Sequence, residues 1–554
     1  MGHSPIPAGA GRDRLSDLDD GVIGHILSFL DAKEAALAAA LSSRWRDVYA
    51  SVHTVSLELP ERPLHDGLTD LTYILRILRP FVAGVTAALF ARDRRAAPAA
   101  AAVPLRALRV CMEGSVDYST VGLWVTHALR HASPGLELDL RLGRDPVCWG
   151  IDRKRVHRRP AVSPYRNHAV GGTPLNLDPV DPSLPADAND EDDAVSSDDE
   201  MPSGFGNRLY IRELPRPLFS CAALRSLRLG SCCLSTPEAV SLPSLEVLRL
   251  THVRDEEEHV QRLISACPLL VDLMVEACGT VTALCLLDNT RLRRLAIRFC
   301  DNLATVAIGA SHLLSFEYLG AMPDTSFLAL GSGGGFPAIT SCKIDTYAAF
   351  PDEAEDLVKL RSFLQLFVAT KHLHLCSTRM GSCFVNLPEF PSLTHLELNG
   401  RVLQGDDPAF AIAVTSTILS QASNLELLTL VFQAAPQEDQ ESQQCDGPYR
   451  GRVEGELVDA HLLHYDKYDT IDYALLMVNT PVPPCLVNRV SKIELVHYQG
   501  GRAQRTLAKF LLGNAPALKM LYCGFAEGPE WIQMQLMREI EGWVINETAS
   551  KEFR

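Results

Sequence analysis

The sequence predicts an α/β fold in which a three-helix module at the N-terminus precedes a curved solenoid of repeated units, with parallel strands on its concave face. Helical spacing of apolar residues divides residues 12–52 into three short helices. A frame of the form L-x-x-L-x-L recurs downstream at spacings of 21 to 25 residues. At 554 residues, the chain is also longer than one ordinary compact core accommodates.

The N-terminal module carries the signals of three amphipathic helices. Ser16 and Asp19 have the spacing of a capping box for the first helix, Asp31 precedes an Ala-rich second helix, and Ser42 or Ser43 begins a third. Because about 40 residues is near the lower limit for independent folding, two interpretations stay open. The apolar side chains bind a partner, or the rest of the chain covers them. These side chains are Leu18, Val22, Ile23, Ile26, Leu27, Leu30 and Trp45.

The repeat frame specifies the rest of the architecture. Clear copies begin at Leu224, Leu245, Leu270, Leu292 and Leu313, and an earlier copy begins at Leu105. Looser copies begin at Ile339, Thr370, Leu393, Leu425, Val490 and Leu518. The period and the alternation are those of a leucine-rich repeat, in which each short strand returns along a helix or an irregular arm. One such unit cannot bury its apolar face alone, so neighbouring units must stack.

Cysteines recur in phase with this frame. Cys232, Cys278 and Cys300 each follow the first leucine of their copy by eight residues, and Cys221 and Cys267 each precede theirs by three. Small, weakly polar thiols packed inside each turn explain this phase. Because the sequence has no C-x-x-C pair, we expect no structural zinc, and we expect no cofactor.

In such a frame the leucines point inward and the residues between them face the concave surface. Four arginines in these positions suggest a positive stripe for an acidic or phosphorylated partner, although ordinary exposed strand residues are the alternative. The alternation of His372, His374 and Cys376 offers three metal-ligand types on one strand face, but a recognition surface is the preferred interpretation. The candidate substrate contacts are Arg228, Arg249, Arg294, Arg298, His372, His374, His395 and Glu397.

The N-terminal sequence DRLSDLDDGVIGHILSFLDAKEAALAAALSSRWR resembles an F-box. The matching marks are Leu18 with Asp20, the run from Ile26 to Leu30, Lys33-Glu34, Leu41-Ser42 and Arg44-Trp45-Arg46. The resemblance implies that this module docks onto the Skp-family adaptor of a cullin-RING ubiquitin ligase through the apolar residues given above. One departure is Asp19, which stands where the family usually has proline; Asp suits the first turn of a helix, so we expect the helix to form.

The C-terminal sequence from Val490, with KIEL followed by LAKFLLGNAPALKML, resembles the FBD region of plant F-box proteins with leucine-rich repeats. Such an end unit would cap the solenoid core. The expected organisation is a disordered tail at 1–11, an F-box at 12–52, first repeats at 53–143 with a low-complexity loop at 91–104, a disordered insertion with an acidic run at 144–206, the solenoid at 207–484 with a polar loop at 433–454, and an FBD-like cap at 485–554.

Composition and motifs restrict the function. Half of the net charge of −16 comes from eight acids at 187–200, and a general nucleic-acid binder needs clustered bases instead. The sequence has no secretory signal, no apolar run of membrane length and no phosphate-loop, zinc-helix or nucleophile-elbow motif. We therefore expect a non-enzymatic, cytoplasmic or nuclear substrate-recognition adaptor of a ubiquitin ligase. The alternative is a leucine-rich-repeat interaction scaffold without ligase association.

Overall fold

The computed structural model describes residues 17–40, 43–59, 74–92, 103–112, 118–142, 214–309, 312–330, 339–346, 354–381, 384, 386–402, 408–433 and 481–554. The predicted tail at 1–11 and insertion at 144–206 lie outside these residues, as do most of the predicted loops at 91–104 and 433–454.

Short helices alternate with strands along the described chain. The helices are α1 (Asp20–Leu27), α2 (Ala32–Ala40), α3 (Ser43–Val48), α4 (Arg79–Ala91), α5 (Tyr118–Arg130), α6 (Glu257–Ser265), α7 (Ala354–Leu364), α8 (Pro408–Ser420), α9 (Pro484–Asn488), α10 (Arg502–Gly513) and α11 (Glu530–Trp543). The first nine strands are β1 (Thr54–Glu58), β2 (Leu105–Cys111), β3 (Ala132–Arg141), β4 (Leu224–Gly230), β5 (Val247–Thr251), β6 (Asp272–Glu276), β7 (Ala283–Leu286), β8 (Arg294–Arg298) and β9 (Thr305–Ile308). The others are β10 (Ser315–Gly320), β11 (Leu328–Leu330), β12 (Ser341–Thr346), β13 (His372–Arg379), β14 (His395–Arg401), β15 (Leu427–Phe432), β16 (Lys492–Tyr498), β17 (Met520–Phe525) and β18 (Ser550–Phe553).

Fifteen strands form one parallel sheet in the order β1-β2-β3-β4-β5-β6-β8-β10-β12-β13-β14-β15-β16-β17-β18. Each of the predicted repeat copies contributes one strand to it, including the looser copies from Ile339 to Leu518. A parallel sheet that grows by one strand per repeat is the predicted leucine-rich-repeat architecture, which is therefore confirmed.

A second sheet was not predicted. Strands β7, β9 and β11 follow β6, β8 and β10 in the chain and pair with one another in the order β11-β9-β7. In these three repeats the return arm is therefore a short strand. Gln261 on α6 joins this arm to the helix before it, since its side chain accepts a hydrogen bond from the Cys285 backbone N–H at 2.9 Å.

One continuous apolar core runs from the N-terminal helices to the last strands. The frame leucines fill it: Leu224, Leu227 and Leu229 of one copy are all buried. The phased cysteines Cys232, Cys278 and Cys300 are buried as predicted, and the Cys278 thiol donates to the Glu276 carbonyl at 3.4 Å. Cys267 is buried too, but Cys221 is only half-buried.

The first helix begins differently from the prediction. Its N-cap is Asp19, whose carboxylate accepts a hydrogen bond from the Gly21 backbone N–H at 2.9 Å. The proposed capping box from Ser16 is therefore not the start of α1, and Ser16 lies outside the described residues. Asp31 precedes α2 as predicted and accepts from the Glu34 N–H at 2.7 Å. The aspartate at the departure from the F-box pattern thus has a structural role of its own.

At the other end, β16 and β17 follow the predicted copies at Val490 and Leu518, and α10 lies between them. Gly500 adopts φ 72 in the turn before α10, and the buried side chain of Gln504 accepts from the backbone N–H groups of Gln499 and Gly500 at 3.0 and 3.2 Å. Helix α11 and strand β18 then extend the unit, and Arg505 of α10 forms an ion pair with Glu539 of α11.

Candidate functional site

The first helix and the turn that follows it expose large apolar side chains. Val22 is 46% exposed, Ile26 is 42% exposed and Phe29 is 77% exposed. Their spacing of four and then three residues places them on one face of the helical turn. Leu37 on α2 is a further apolar side chain, 63% exposed. We name Val22, Ile26, Phe29 and Leu37 the apolar ridge.

The predicted adaptor-binding residues divide into three groups. Val22 and Ile26 belong to the ridge, whereas Ile23 and Leu27 are buried in the core of this chain. The remaining three, Leu18, Leu30 and Trp45, are half-buried and pack against that core. The chain thus covers one side of α1, as the second of the two interpretations predicts, and leaves the other side exposed to solvent.

Two members of the apolar ridge, Phe29 and Leu37, were not identified from the sequence. Phe29 was quoted only as part of a motif, although it lies seven residues after Val22 and three after Ile26, which is the spacing of one helix face. Leu37 lies among alanines, where the chain gives no strong alternation. Spacing alone would have identified Phe29 but not Leu37.

The other candidate surface is the open face of the long sheet. We use this name for the side chains that alternate with the buried leucines on β2 to β17. Register places Arg109, Asp139, Arg228, Arg249, Met274, Ala296, Glu317, Lys343, His374, Glu397, Thr429, Glu494 and Tyr522 side by side along its central row. The row is polar at most positions and changes sign repeatedly.

The four predicted arginines do not form one stripe. Arg228 and Arg249 are neighbours on β4 and β5, but β6 separates them from Arg294 and Arg298 on β8. Three of them have carboxylate partners. Arg228 contacts Asp139 at 3.3 Å, Arg249 contacts Asp272 at 3.2 Å, and Arg298 contacts Glu317 at 3.0 Å. Arg294 is exposed at the start of β8. The structure therefore has two separate pairs of arginines, three of the four beside a carboxylate, in place of the single positive stripe that was one of the two interpretations.

The predicted histidines do come together. The rings of His372 and His395 lie with centroids 4.2 Å apart, and His374 Nδ1 lies 3.1 Å from Glu397. The hydrogen bond from His374 lowers the pKa of Glu397. Partial burial, and next the charge of His372, lower the pKa of His395. Within the described residues no three His, Cys, Asp or Glu side chains are grouped as a metal site.

Several charged residues of the open face were missed in the sequence. Arg109 and Arg141 flank Asp139, which contacts Arg141 at 3.1 Å and Arg228 at 3.3 Å. Glu317 lies between Arg298 and Lys343, at 3.0 and 3.4 Å. Burial opposes ionisation of Glu317, but the hydrogen bond and charge of Arg298 outweigh it, so its pKa is lowered. Ion pairs between the side chains of neighbouring strands thus occur at several places along the open face.

A search of the described helices for one long and apolar enough to cross a bilayer finds none.

Comparison with known proteins agrees with the repeats and with the C-terminal unit of this architecture. Residues 205–320 match the family described as "FBD-associated F-box protein At5g56370, LRR repeats", and residues 479–522 match the FBD family. The chain is 24% identical over 550 residues to FBD-associated F-box protein At5g22730 of Arabidopsis thaliana, across 92% of this chain and 88% of that protein. It is 23% identical over 436 residues to F-box/LRR-repeat protein At2g42730 of the same plant, across 76% of each. The chain is therefore similar to FBD-associated F-box proteins in its leucine-rich repeats and to the FBD family near its C-terminal end, and its relatives are plant F-box proteins with leucine-rich repeats.

Proposed function

We propose that the chain is the substrate-recognition subunit of an SCF-type cullin-RING ubiquitin ligase. Residues 12–52 act as the F-box and bind a Skp-family adaptor, and the open face of the sheet binds a protein substrate. The observation that carries this proposal is the apolar ridge. The names of the relatives, which are F-box proteins with leucine-rich repeats, support it.

The ridge suits a protein partner because of its size and its exposure. Burying one large apolar side chain stabilises a complex by about 1.5–3 kcal/mol, so Val22, Ile26 and Phe29 together supply several kcal/mol when a partner covers them. The buried Ile23 and Leu27 act indirectly: they hold α1 against the chain so that its outer face is presented. Leu18, Leu30 and Trp45 shape the edges of the same module.

The proposed substrate contacts are the open-face residues on β4 to β14. Arg228, Arg249, Arg294 and Arg298 offer guanidinium donors, while His372, His374, His395 and Glu397 form the cluster on β13 and β14. A rigid parallel sheet already fixes the backbone that carries these side chains. Little backbone entropy is therefore lost on binding, which favours affinity. The chain contributes no bond-making group in this proposal. It raises the effective concentration of substrate near a ubiquitin-charged enzyme in the cytoplasm or nucleus, and other subunits perform the chemistry.

The alternative is a repeat scaffold without a ligase, and Asp19 in place of proline is the feature that suggests it. Asp19 caps α1 with φ −65 and ψ 149, so the helix forms although the proline is absent. The departure therefore leaves the ridge in place. Only a contact made by the proline itself would be lost.

The test is co-purification of the full chain with a plant Skp-family adaptor expressed in the same cells. The double variant Val22→Asp/Ile26→Asp should lose the adaptor, because two charges then face the contact. The matched control is Leu123→Asp/Val358→Asp, which places the same charges on exposed apolar residues of α5 and α7 and should retain it. Retention by both variants, or no adaptor with the wild-type chain, would favour the scaffold alternative.

Substrate binding has a separate readout. Proteins captured by the wild-type chain in plant cells with the proteasome blocked would be compared with those captured by Arg228→Glu/Arg249→Glu/Arg294→Glu. This charge reversal should reduce the amount of substrate proteins that the chain captures and leave the amount of captured adaptor unchanged. An unchanged set of captured proteins would remove the arginines from the proposed substrate site.

A further inference from the structure

We infer that the open face of β2 to β5 is a binding site for an acidic segment of a partner protein, with Arg109, Arg141, Arg228 and Arg249 as the recognising side chains. This inference rests on the proposed function, which it deepens by giving the chemistry of the substrate. The occupant is a peptide segment whose anionic groups are carboxylates or phosphate esters, since both present paired oxygens to a guanidinium.

The first observation is the local charge. The open-face positions of β2 to β5 carry four arginines and two carboxylates, the latter being Glu137 and Asp139. Arg109, Arg228 and Arg249 lie in the central row. Arg141 lies two residues after Asp139 on β3 and is paired in register with Gly230. Burial first, and then the charges of Arg249, Arg141 and Arg109, lower the pKa of Arg228 against the attraction of Asp139. The four guanidiniums therefore repel one another, and an anion placed among them relieves that repulsion.

The second observation is the layering of the charges. The Asp139 side chain is only 14% exposed, whereas Arg228 is 33% exposed, Arg141 40% and Arg109 50%. Similarly, Asp272 at the border on β6 is 15% exposed beside Arg249 at 31%. Asp139 and Asp272 are thus less exposed than the guanidiniums that they contact. Glu137 is the exception, since it is 48% exposed and contacts Arg109 at 3.0 Å. Around Arg141, Arg228 and Arg249, solvent therefore meets the positive groups first.

The third observation is that the arginines keep donors for a ligand. A guanidinium has five N–H donors. Arg228 contacts Asp139 through Nη1 and Arg249 contacts Asp272 through Nη2, so each guanidinium uses one of its terminal nitrogens on a carboxylate and keeps the other for a ligand. Gly230 on β4 has no side chain, and the stem of Arg141 lies where one would be, since a Cβ there would meet the Arg141 Cα at 3.3 Å. The absence of a side chain at 230 brings Arg141 close to Arg228.

The other half of the same face lacks this positive excess. On β10 to β16 the open-face charges are Glu317, Asp345, Glu397 and Glu494 against Lys343, Arg401 and Lys492. An acidic segment would therefore prefer the β2 to β5 half. This difference within one surface provides an internal control.

The experiment titrates fluorescein-labelled peptides into the full chain and follows anisotropy. The probes are octaglutamate, an octapeptide of alternating glycine and phosphoserine, the same octapeptide without phosphate, and octalysine. Binding of either acidic probe, weakening as salt rises, is expected, and the neutral probe should not bind. The two acidic probes distinguish carboxylate from phosphate recognition. Repeating the titration with the eight acids at 187–200 changed to amides removes the chain's own acidic run as a competitor.

Substitutions then locate the site. Arg109→Gln/Arg141→Gln should weaken binding of the better acidic probe by at least about tenfold, since two guanidiniums that donate charge-assisted hydrogen bonds are lost. Asp139 retains its ion pair with Arg228 in this variant, so we expect the fold to be preserved. The matched control, Lys343→Gln/Lys492→Gln, removes the same charge from the other half and should leave the affinity unchanged. A second variant, Gly230→Asp, adds a carboxylate beside Arg141, whose stem must shift to admit it, and should weaken binding too.

Equal affinities of wild type, Arg109→Gln/Arg141→Gln and Gly230→Asp would overturn the inference, as would equal loss in the lysine control. Adaptor co-purification on the same preparations separates this result from the proposed function. Val22→Asp/Ile26→Asp should lose the adaptor and bind the peptide normally. Peptide binding without adaptor binding by wild type would retain the site and reject the ligase role, and the reverse would reject the site alone.

Discussion

Nδ1 of His25 on α1 and Nε2 of His53 lie 3.0 Å apart, so the first helix is joined to the residue that precedes the first strand. The same two segments meet again where the His53 backbone N–H donates to the Ser28 hydroxyl at 3.1 Å. A hydrogen bond between two imidazoles needs one ring nitrogen to accept, so it is lost when both rings are protonated. The junction between the N-terminal helices and the sheet is therefore sensitive to acid.

The first prediction concerns that junction. Partial burial, then the charges of Arg106, His25 and Arg92, lower the pKa of His53 in the folded chain. In the unfolded chain His53 takes up its proton near its ordinary pKa of about 6.5. Between that pH and the lowered folded pKa the unfolded state binds more protons, so stability is full above about 6.5 and falls as pH falls.

The measurement is urea unfolding at about pH 7.5 and about pH 5.5 for the wild type and for His53→Gln. We expect His53→Gln to lose less stability on acidification, because its side chain takes up no proton. His312→Gln, an exposed histidine after β9, serves as the control. An identical loss in His53→Gln and the wild type would show that the junction does not titrate.

The second prediction concerns the cap of α1. Asp19→Ala removes the acceptor of the Gly21 N–H and should destabilise the N-terminal helices by about 1 kcal/mol, whereas Asp19→Asn should retain most of the cap. Thermal unfolding and adaptor binding measure the two effects. Weaker adaptor binding by Asp19→Ala than by Asp19→Asn is expected, and equal behaviour of the two would assign the cap no role.

The third prediction uses the phased cysteines. Burial raises the pKa of Cys278 to about 11 and that of Cys300 to about 12, so neither forms much thiolate near neutral pH. Iodoacetamide at about pH 8 should therefore modify the exposed Cys285 first, and Cys278 and Cys300 only in urea. Peptide mass spectrometry follows each site. Early labelling of Cys278 or Cys300 in the folded chain would contradict their packing inside the repeats.

The fourth prediction compares two glycines at the ends of α10. Gly500 has φ 72, and a Cβ there would lie 2.6 Å from the Leu536 side chain, so Gly500→Ala should cost about 1–3 kcal/mol or more. Gly513 has open space around its Cα, and Gly513→Ala should be neutral or stabilising by up to about 1 kcal/mol. Urea unfolding followed by tryptophan fluorescence distinguishes them. Similar stabilities for the two variants would show that the turn before α10 does not constrain the C-terminal unit.

Twelve of the fifteen strands of the long sheet followed from the repeat frame because alternating leucines report burial directly, whereas β1 and β3 were not identified as copies. The second sheet did not, since β7, β9 and β11 have three or four residues each and show too little alternation to be recognised. Strand β18, with the sequence SKEF, was missed for a different reason: it lies at the edge of the sheet and lacks a continuous buried face. Its strand conformation comes from pairing with β17 rather than from its own residues.

The candidate site was only partly predictable. Frame position identified Arg228 and Arg249 as open-face residues, but the partner of Arg228 is Asp139, which is 89 residues away across the insertion. Charge neutralisation between strands depends on register between distant segments, and one sequence does not reveal it. The same limit applies to α1, where periodicity identified the apolar residues but not which side the chain would cover.

The account holds that the N-terminal helices bind the adaptor and that the strands bind the substrate. The measurement that tests this most directly is hydrogen exchange of the full chain with and without the Skp-family adaptor. The account predicts slower exchange over residues 20–40, which hold α1 and α2, and unchanged exchange over β13 and β14 at 372–401. Protection confined to the strands, with residues 20–40 unaffected, would contradict it.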